Sequence, residues 1–329
     1  VKDARSRRVL HRCDSPDDLY PCGASTRSGP VALHADVSLW HARLGHPGAD
    51  ALHKILSTFS FSCNKSAAHT CHVCRIGKHV CLLFPSSTSI ATFPFDIIHC
   101  DIWTSPLPSF SGYKYYLVVL DHFTHYLWTF PLRHKSDTYS TLTNFFVYAS
   151  TQFGAIVKSL QCDNGGEFIN TSLRSFFSTY SIIYRLSCPH TSPQNGKAER
   201  MIRTTNDVVR TLLLQARLPP AFWVEALHTA TYILNRRPSS AINFVTPYFL
   251  LRGQHPTYDL MRAFGCLCFP NTIATSPHKL APRSVPCVFL GYPSNTKCYW
   301  CYDPLTDRVY TSRHVYFVKT VFPFFRILR

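Results

Sequence analysis

Residues 113–132, "YKYYLVVLDHFTHYLWTFPL", are rich in aromatic and β-branched residues, and the stretch is long enough to form two strands joined by a turn. The segment "FDIIHCDIW", which begins at Phe95, has the same composition. We predict that a β-sheet begins here with a strand and a following hairpin.

Helical and extended patterns alternate after the hairpin. Ser136 or Asp137 can cap a helix that runs to about Phe153, and "AIVKSLQC" then has the pattern of a strand. "TSLRSFFSTY" predicts a second helix and "IIYRLSCP" another strand. Two longer helices follow, at about 196–216 and 220–235. This order predicts a layered α/β architecture.

The last part of the chain has a different pattern. Short alternating segments, "CLCFP", "VPCVFLGYP", "KCYWCYD" and "RVYTSRHVYF", are separated by turn residues and predict a small β-barrel. Cys266, Cys268, Cys298 and Cys301 could suggest a metal site, but their alternation with Tyr and Trp favours core packing.

Composition limits the classes of function. The 329 residues have 46% hydrophobic content and a formal net charge of +16, which predicts a folded chain with a polyanionic partner. No run of about 18 uncharged apolar residues occurs, so we expect a soluble protein without membrane partners. Fourteen cysteines without secretory features favour a reducing compartment. The absence of an initial Met suggests part of a longer polypeptide.

Three acidic residues stand where the predicted sheet would present side chains at one edge. Asp101 ends one strand, Asp163 ends another, and Glu199 lies in the first turn of a helix. Carboxylates gathered in one place repel one another unless a hard cation lies between them, and Mg²⁺ or Mn²⁺ is the expected ion. Any one of them could instead be a solvated loop residue or a helix cap. Glu167, Asp121 and Asp207 remain alternative ligands.

These residues also carry a family resemblance. "CDNGGEF", "SPQNGKAERMIRT" and the spacing of 61 and then 35 residues between the three acids resemble the catalytic core of retroviral and retrotransposon integrases. The resemblance implies a ribonuclease-H-like fold and assigns the metal ligands to Asp101, Asp163 and Glu199, leaving out Glu167. It also implies strand transfer of a 3′-hydroxyl DNA end, for which two metal ions can activate the attacking hydroxyl and stabilise the leaving oxygen.

A second ligand pattern lies upstream. His41 and His46 in "LWHARLGH" and Cys71 and Cys74 in "CHVC" suit a tetrahedral, structural Zn²⁺. His69, His72 and His79 are substitute ligands, and packing roles are the plainer alternative.

The same segment, with "CHVCRIGKH", resembles the zinc-binding pre-integrase module of copia-type retrotransposon polyproteins, and "KLAPRSVPCVFLGYP" resembles the SH3-like region that follows their core. We therefore divide the chain into a lead-in at 1–35, a zinc-binding module at 36–85, a catalytic core at 93–255 and an SH3-like β-barrel at 260–322.

Basic residues surround Glu199. We predict DNA phosphate contacts from Lys197, Arg200 and Arg203, with Asn195 and Gly196 in a flexible loop that lets DNA approach closely. A solvated basic helix face is the alternative. Arg210, Arg236 and Arg237 are further candidates for phosphate contacts.

Integrase activity is the first functional hypothesis. A ribonuclease-H-type nuclease could use the same acids, and an inactive remnant of a mobile element could act only as a DNA-binding protein. The resemblance implies that the chain forms homo-oligomers on DNA, and DNA joining implies action in the nucleus.

Overall fold

The computed structural model divides the chain into two compact units, Val1–Ser87 and Thr88–Arg329. The predicted lead-in at 1–35 and the substitute ligands His69 and His79 lie outside the residues that the structure describes. The described residues are 37–58, 71–78, 90–188, 192–273, 278, 280–293 and 296–324.

The first unit contains three short helices, α1 (Val37–Arg43), α2 (Ala49–Thr58) and α3 (His72–Gly77). Pro47 and Gly48 lie in the break between α1 and α2. Helix α1 ends in a Schellman turn, in which His46 N–H donates to the His41 carbonyl and Gly45 N–H donates to the Ala42 carbonyl. Gly45 and His46 both have positive φ, and this turn brings the chain back beside α1.

The second unit begins with a five-stranded sheet in the order β3-β2-β1-β4-β5. The predicted hairpin is confirmed, since β2 is antiparallel to both β1 and β3. Strand β4 is parallel to β1 and to β5. The strands are β1 (Ile98–Thr104), β2 (Tyr115–Asp121), β3 (Leu127–Leu132), β4 (Ser159–Cys162) and β5 (Ile183–Leu186).

Helices cover both faces of this sheet. Because side chains alternate along a strand, the buried strand β2 supplies two cores. Leu117 and Val119 pack with residues of α4 and α5, and Val118 and Leu120 pack with residues of α6 and α7. The helices are α4 (Thr138–Phe153), α5 (Thr171–Thr179), α6 (Gly196–Ala216), α7 (Trp223–Arg236) and α8 (Pro247–Arg252).

The last part of the chain forms a second sheet in the order β10-β6-β7-β8-β9. The segment "RVYTSRHVYF", expected as one unit, forms two strands, because β10 leaves β9 and pairs with β6 at the opposite edge. Cys266, Cys268 and Cys301 lie in the core of this region, as the prediction of core packing required. The strands are β6 (Leu267–Pro270), β7 (Cys287–Gly291), β8 (Tyr299–Asp303), β9 (Arg308–Ser312) and β10 (Val315–Val318).

This second sheet packs against the helices of the first. Gly265 and Gly291 have φ of +80° and +117°, and both touch helices closely. A Cβ at Gly265 would lie 2.1 Å from the Ala216 Cβ, and one at Gly291 would lie 2.3 Å from the Thr229 Oγ1. The mixed α/β class with an all-β C-terminal region is therefore confirmed. Within the described part of the chain, no helix has the length and apolarity of a membrane span.

Candidate carboxylate and metal sites

Asp101 lies on β1 and faces the layer formed by α6 and α7. It pairs with Val118 across the antiparallel ladder, and directly opposed residues share a face of the sheet. Its Oδ1 accepts a hydrogen bond of 2.8 Å from the Ile102 N–H. Asp101 is therefore held inside the domain rather than in a solvated loop.

Asp163 stands beside Asp101 because of the parallel register of β1 and β4. His99 is paired with Gln161, and each aspartate lies two residues further along its strand direction. The Asp163 Oδ1 accepts a hydrogen bond of 3.1 Å from the Gly165 N–H. Two strands that are distant in sequence thus present their carboxylates side by side. Asp163 directly follows β4, as predicted, but the prediction that Asp101 ends its strand is wrong, because β1 continues to Thr104 through its pairing with β2.

Glu199 enters this site from the first turn of α6. Asn195, the residue before the helix, donates from Nδ2 to the Cys100 carbonyl at 2.9 Å. Gln161 donates from Nε2 to the Gln194 carbonyl at 2.6 Å. These bonds attach the start of α6 to β1 and to β4, the two strands that present the aspartates.

The prediction of a DNA contact by Asn195 is wrong for the side chain, which is only 1% exposed. The flexible loop expected there is also wrong, since Ser192–Asn195 form a 3₁₀ turn that continues into α6 at Gly196. The sequence could not show this, because burial of Asn195 depends on its contact with Cys100, far away in the chain.

The carboxylates affect one another electrostatically. Burial raises the pKa of Asp101 to about 7, with further contributions from the charges of Asp163, Glu199 and Glu167. The hydrogen bond from Ile102 opposes this shift. The site therefore concentrates negative charge, and it favours protonation or a cation.

Glu167 belongs to the same neighbourhood but has its own partner. Its Oε1 lies 3.0 Å from the Lys135 Nζ in an ion pair. A Cβ at Gly165 would lie 2.8 Å from the Glu167 Cδ and 3.1 Å from the Asp163 Oδ1. Glycine at position 165 thus leaves the space that both carboxylates occupy.

The other two alternative ligands lie in unsuitable places. Asp121 is fully buried, and its carboxylate accepts bonds from the Phe95 N–H and from the N–H and hydroxyl of Thr124. Asp207 is exposed and forms an ion pair of 2.9 Å with Arg210 on α6. The charges that raise the pKa of Asp101 most are those of Asp163, Glu199 and Glu167.

The four upstream His and Cys residues form a compact group. The Nε2 of His41 lies 3.0 Å from the Cys74 Sγ, and the Nδ1 of His46 lies 3.4 Å from the Cys71 Sγ. All four ligand atoms lie within 4.8 Å of one another. Tetrahedral zinc holds N and S donors about 3.3–3.8 Å apart, so small side-chain movements would let this set hold the ion.

This is the only such group of His, Cys, Asp and Glu ligand atoms in the described part of the chain. The carboxylates of Asp101, Asp163 and Glu199 are neighbours, but their oxygens do not form such a compact group. His72, a substitute zinc ligand in the sequence, is exposed on α3 and is not a member of the group.

The basic residues of α6 divide between two sides of the helix. Arg203 is four residues beyond Glu199, or about 40° around the axis, and is exposed. Lys197 is about 160° from Glu199 and lines a cleft together with Arg200. The sequence predicts phosphate contacts from all three residues, and helical periodicity places these contacts on two sides of α6.

Comparisons with known proteins agree with this organisation. Residues 18–79 match the GAG-pre-integrase domain, residues 91–192 match the integrase core domain, and residues 266–327 match the retroviral polymerase SH3-like domain.

Among solved structures, the chain is similar to the HTLV-2 integrase catalytic core domain in complex with magnesium, in its trimeric form. The identity is 18%, the TM-score is 0.39, and the match covers 50% of this chain and 100% of that chain. For the simian T-cell lymphotropic virus intasome in complex with PP2A regulatory subunit B56 gamma, the identity is 16% and the TM-score is 0.49. That match covers 86% of this chain and 96% of the other.

Longer relatives match almost the whole chain. The retrovirus-related Pol polyproteins from transposons RE1 and RE2 of Arabidopsis thaliana are 37% and 35% identical, each over 98% of this chain. The corresponding polyprotein from transposon TNT 1-94 of Nicotiana tabacum is 31% identical over 91%. This chain spans 22% of the RE1 polyprotein and 23% of each of the other two. The resemblance seen in the sequence is therefore confirmed: the chain carries GAG-pre-integrase, integrase core and retroviral SH3-like domain matches in the predicted order, and its homologues are copia-type retrotransposon Pol polyproteins.

Proposed function

We propose that the chain is an integrase, a polynucleotidyl transferase that joins a 3′-hydroxyl DNA end to a phosphodiester of target DNA. The observation that carries this proposal is geometric: the parallel register of β1 and β4 puts Asp163 beside Asp101, and the start of α6, bonded to both strands, brings Glu199 to them. A buried acid with neighbouring carboxylates is a site built for a cation. The integrase core match at 91–192 supports the same reaction class.

Asp101, Asp163 and Glu199 would hold Mg²⁺ or Mn²⁺. Their oxygens are the ligands that these hard cations prefer. An ion would relieve the repulsion that, in addition to burial, raises the pKa of Asp101. When bound, such ions supply charge stabilisation at the attacking and leaving oxygens of a phosphoryl transfer.

The protein itself supplies position. The hydrogen bonds from Asn195 and Gln161 hold the start of α6 against β1 and β4, so Glu199 keeps its place relative to the aspartates. Arg203, one turn further along, would hold a phosphate of a DNA strand at this site. Lys197 and Arg200 would contact phosphates on another side of the helix.

Zn²⁺ in the upstream module would have a structural role. Four protein ligands, His41, His46, Cys71 and Cys74, leave no open position for a substrate. The Lys78 ammonium also donates to the His46 carbonyl, which links α3 to the turn after α1.

DNA ends and target DNA are the proposed partners, and the net charge of +16 suits binding to both. An intasome and a trimeric core are among the similar structures, and we propose that this chain also works as a homo-oligomer. Its place of action would be the nucleus. We retain 36–85, 93–255 and 260–322 as the proposed functional domains.

Strand transfer of a labelled DNA end into a plasmid, at fixed Mg²⁺ and low salt, tests the proposal. Glu199→Gln keeps the size of the side chain and removes its charge, and Asp207→Asn is a matched control on the same helix. We expect joined product from the wild type and from Asp207→Asn, and none from Glu199→Gln.

Two further measurements separate the alternatives. Cleavage of an RNA strand in an RNA–DNA hybrid, without joining, would replace the integrase with a nuclease. If wild type and Glu199→Gln both bind DNA but neither joins it, the chain is an inactive remnant that acts only as a DNA-binding protein.

A further inference from the structure

A cleft of about 740 Å³ lies on the side of α6 that carries Lys197. Its walls come from α6, from the turn between β2 and β3, and from the segment that follows α7. A cavity of this size accommodates a small organic ligand such as one nucleotide. Because Lys197 and Glu199 lie about 160° apart on the helix, the cleft is distinct from the carboxylate site.

The charged residues of the cleft are all basic. Lys197, Arg200 and Arg237 line it, and none of its described lining residues is acidic. Within the described part of the chain, these three residues form no ion pair. Asp121 is the acid that acts on Lys197, but its oxygens already accept hydrogen bonds from Phe95 and Thr124. The cleft therefore holds positive charge without a carboxylate partner of its own.

Burial and the crowded positive charges lower the pKa values of two basic groups in the cleft. Burial, with the charges of Lys197 and Arg200, lowers the pKa of His125 to about 4. Burial and Arg200 also lower the pKa of Lys197. An anion in the cleft would offset this repulsion, as phosphate does among clustered cations.

The remaining lining mixes polar and apolar side chains, and it includes one phenyl ring. Leu127, Met201 and Leu234 contribute to the wall, and Phe244 is a lining residue that is 74% exposed. Its φ of 59° is unusual for a bulky residue. The Phe244 N–H donates to the Ser239 carbonyl at 2.8 Å, and an isolated bridge joins Ser239 to Val245, so the backbone fixes this position.

We propose that this cleft binds one nucleotide of single-stranded DNA, with its phosphate at Lys197, Arg200 and Arg237 and its base against Phe244. Cationic grooves with an aromatic platform are the usual design for single-stranded nucleic acid. A duplex keeps its bases stacked inside and could not place one on Phe244. The proposal rests on the proposed function only in taking DNA as the ligand.

Fluorescence anisotropy of fluorescein-labelled hexathymidylate, in buffer without Mg²⁺ or Mn²⁺, tests the cleft without any catalytic step. We expect Phe244→Ser to weaken binding by about 5- to 150-fold and Phe244→Trp to restore it, because stacking needs only an aromatic face. Lys197→Gln combined with Arg237→Gln should lower the slope of log affinity against log salt by about 0.7 for each lost phosphate contact. Arg308→Gln removes one exposed charge on β9 and should leave the Phe244 dependence unchanged.

Wild-type affinity in Phe244→Ser would overturn the proposal, and so would a closed dumbbell duplex, which has no free end, that binds with the same dependence on Phe244. Displacement by hexaglutamate at the concentration of unlabelled hexathymidylate would indicate an acidic peptide site instead. Phe244 is exposed, so the variant should fold, and its melting temperature checks this.

The two proposals can fail separately. If the wild type joins no DNA but hexathymidylate binding depends on Phe244, the integrase proposal is wrong and the nucleotide-binding proposal is supported. If DNA joining depends on Glu199 but hexathymidylate binding does not depend on Phe244, the nucleotide-binding proposal is wrong and the integrase proposal is supported.

Discussion

Asn195 donates a 2.9 Å hydrogen bond to the backbone carbonyl of Cys100, the residue that precedes Asp101. Since Asn195 also precedes α6, one side chain connects the strand of Asp101 with the helix of Glu199. The bond is fully buried, so water cannot replace it. The spacing between these two acids therefore depends on a residue that carries no charge.

Replacing Asn195 by Ala should destabilise the protein and impair strand transfer together. The Cys100 carbonyl would lose its side-chain donor, at a cost of about 1–3 kcal/mol in the free energy of unfolding. Urea denaturation would measure this cost. Asn144→Ala, at an exposed position on α4, should change stability by less than about 0.5 kcal/mol. Equal stability of the two variants would contradict the connecting role of Asn195.

Asp101 should make the metal-free protein less stable as pH rises. Its pKa is about 7 in the folded protein and about 3.9 in an unfolded chain. Between these values the folded state holds a proton that the unfolded state has lost, so the free energy of unfolding falls with rising pH. Asp101→Asn should gain up to about 4 kcal/mol over wild type between pH 4 and pH 8, measured by urea denaturation in EDTA.

Comparison with a variant isolates this effect from other titrations. Burial lowers the pKa of His99 to about 3 and that of His122 to about 4, which gives the opposite slope, but both are shared by wild type and variant. Asp207→Asn should follow the wild-type curve. Mg²⁺ should stabilise wild type at pH 8 and have a smaller effect on Asp101→Asn. Parallel curves for wild type and Asp101→Asn would contradict the prediction, because they would mean that folding does not raise the pKa of Asp101.

The upstream module should bind one Zn²⁺ per chain. Cys71→Ser or His41→Ala removes a member of the four-ligand group and should abolish tight binding, whereas His72→Ala should not. Cobalt substitution offers the readout, because tetrahedral coordination with two thiolates has a characteristic visible spectrum. If Cys71→Ser kept that spectrum, Cys71 would not be a ligand of the metal.

Gly265→Ala should be strongly destabilising. The new Cβ would collide with Ala216 on α6, and φ of +80° disfavours any side chain. Gly253→Ala shares a positive φ of +67° but meets no atom within 4 Å, so it reports the backbone cost alone. We expect about 1–3 kcal/mol more loss for Gly265→Ala, by chemical denaturation. Equal losses of stability in the two variants would mean that the contact between Gly265 and Ala216 adjusts to the added methyl group.

Local patterns predicted the elements of this fold well. The hairpin of β2 and β3 and the helix Gly196–Ala216 follow from composition and period, which act over a few residues. The division of "RVYTSRHVYF" into two strands was not predictable, because β10 is defined by its pairing with β6. Strand pairing over long sequence distances has no local signal.

The candidate sites were predictable to different degrees. The spacing of His41, His46, Cys71 and Cys74 identified a group that the structure brings together. The assignment of Asp101, Asp163 and Glu199 as metal ligands remains a prediction, placed in one neighbourhood by the parallel register of β1 and β4. The role of Asn195 was missed, since its burial arises only after the sheet has formed.

The contacts of Gly265 and Gly291 with α6 and α7 make the second sheet part of the core. Val288, Leu290 and Tyr302 share one apolar cluster with residues of β2, α6 and α7. A polypeptide ending near residue 255 would expose this cluster to water, and it would tend to aggregate. Expression of the catalytic segment alone is therefore a poor experimental choice, because the SH3-like region is a separate stretch of sequence but not a separate folding unit.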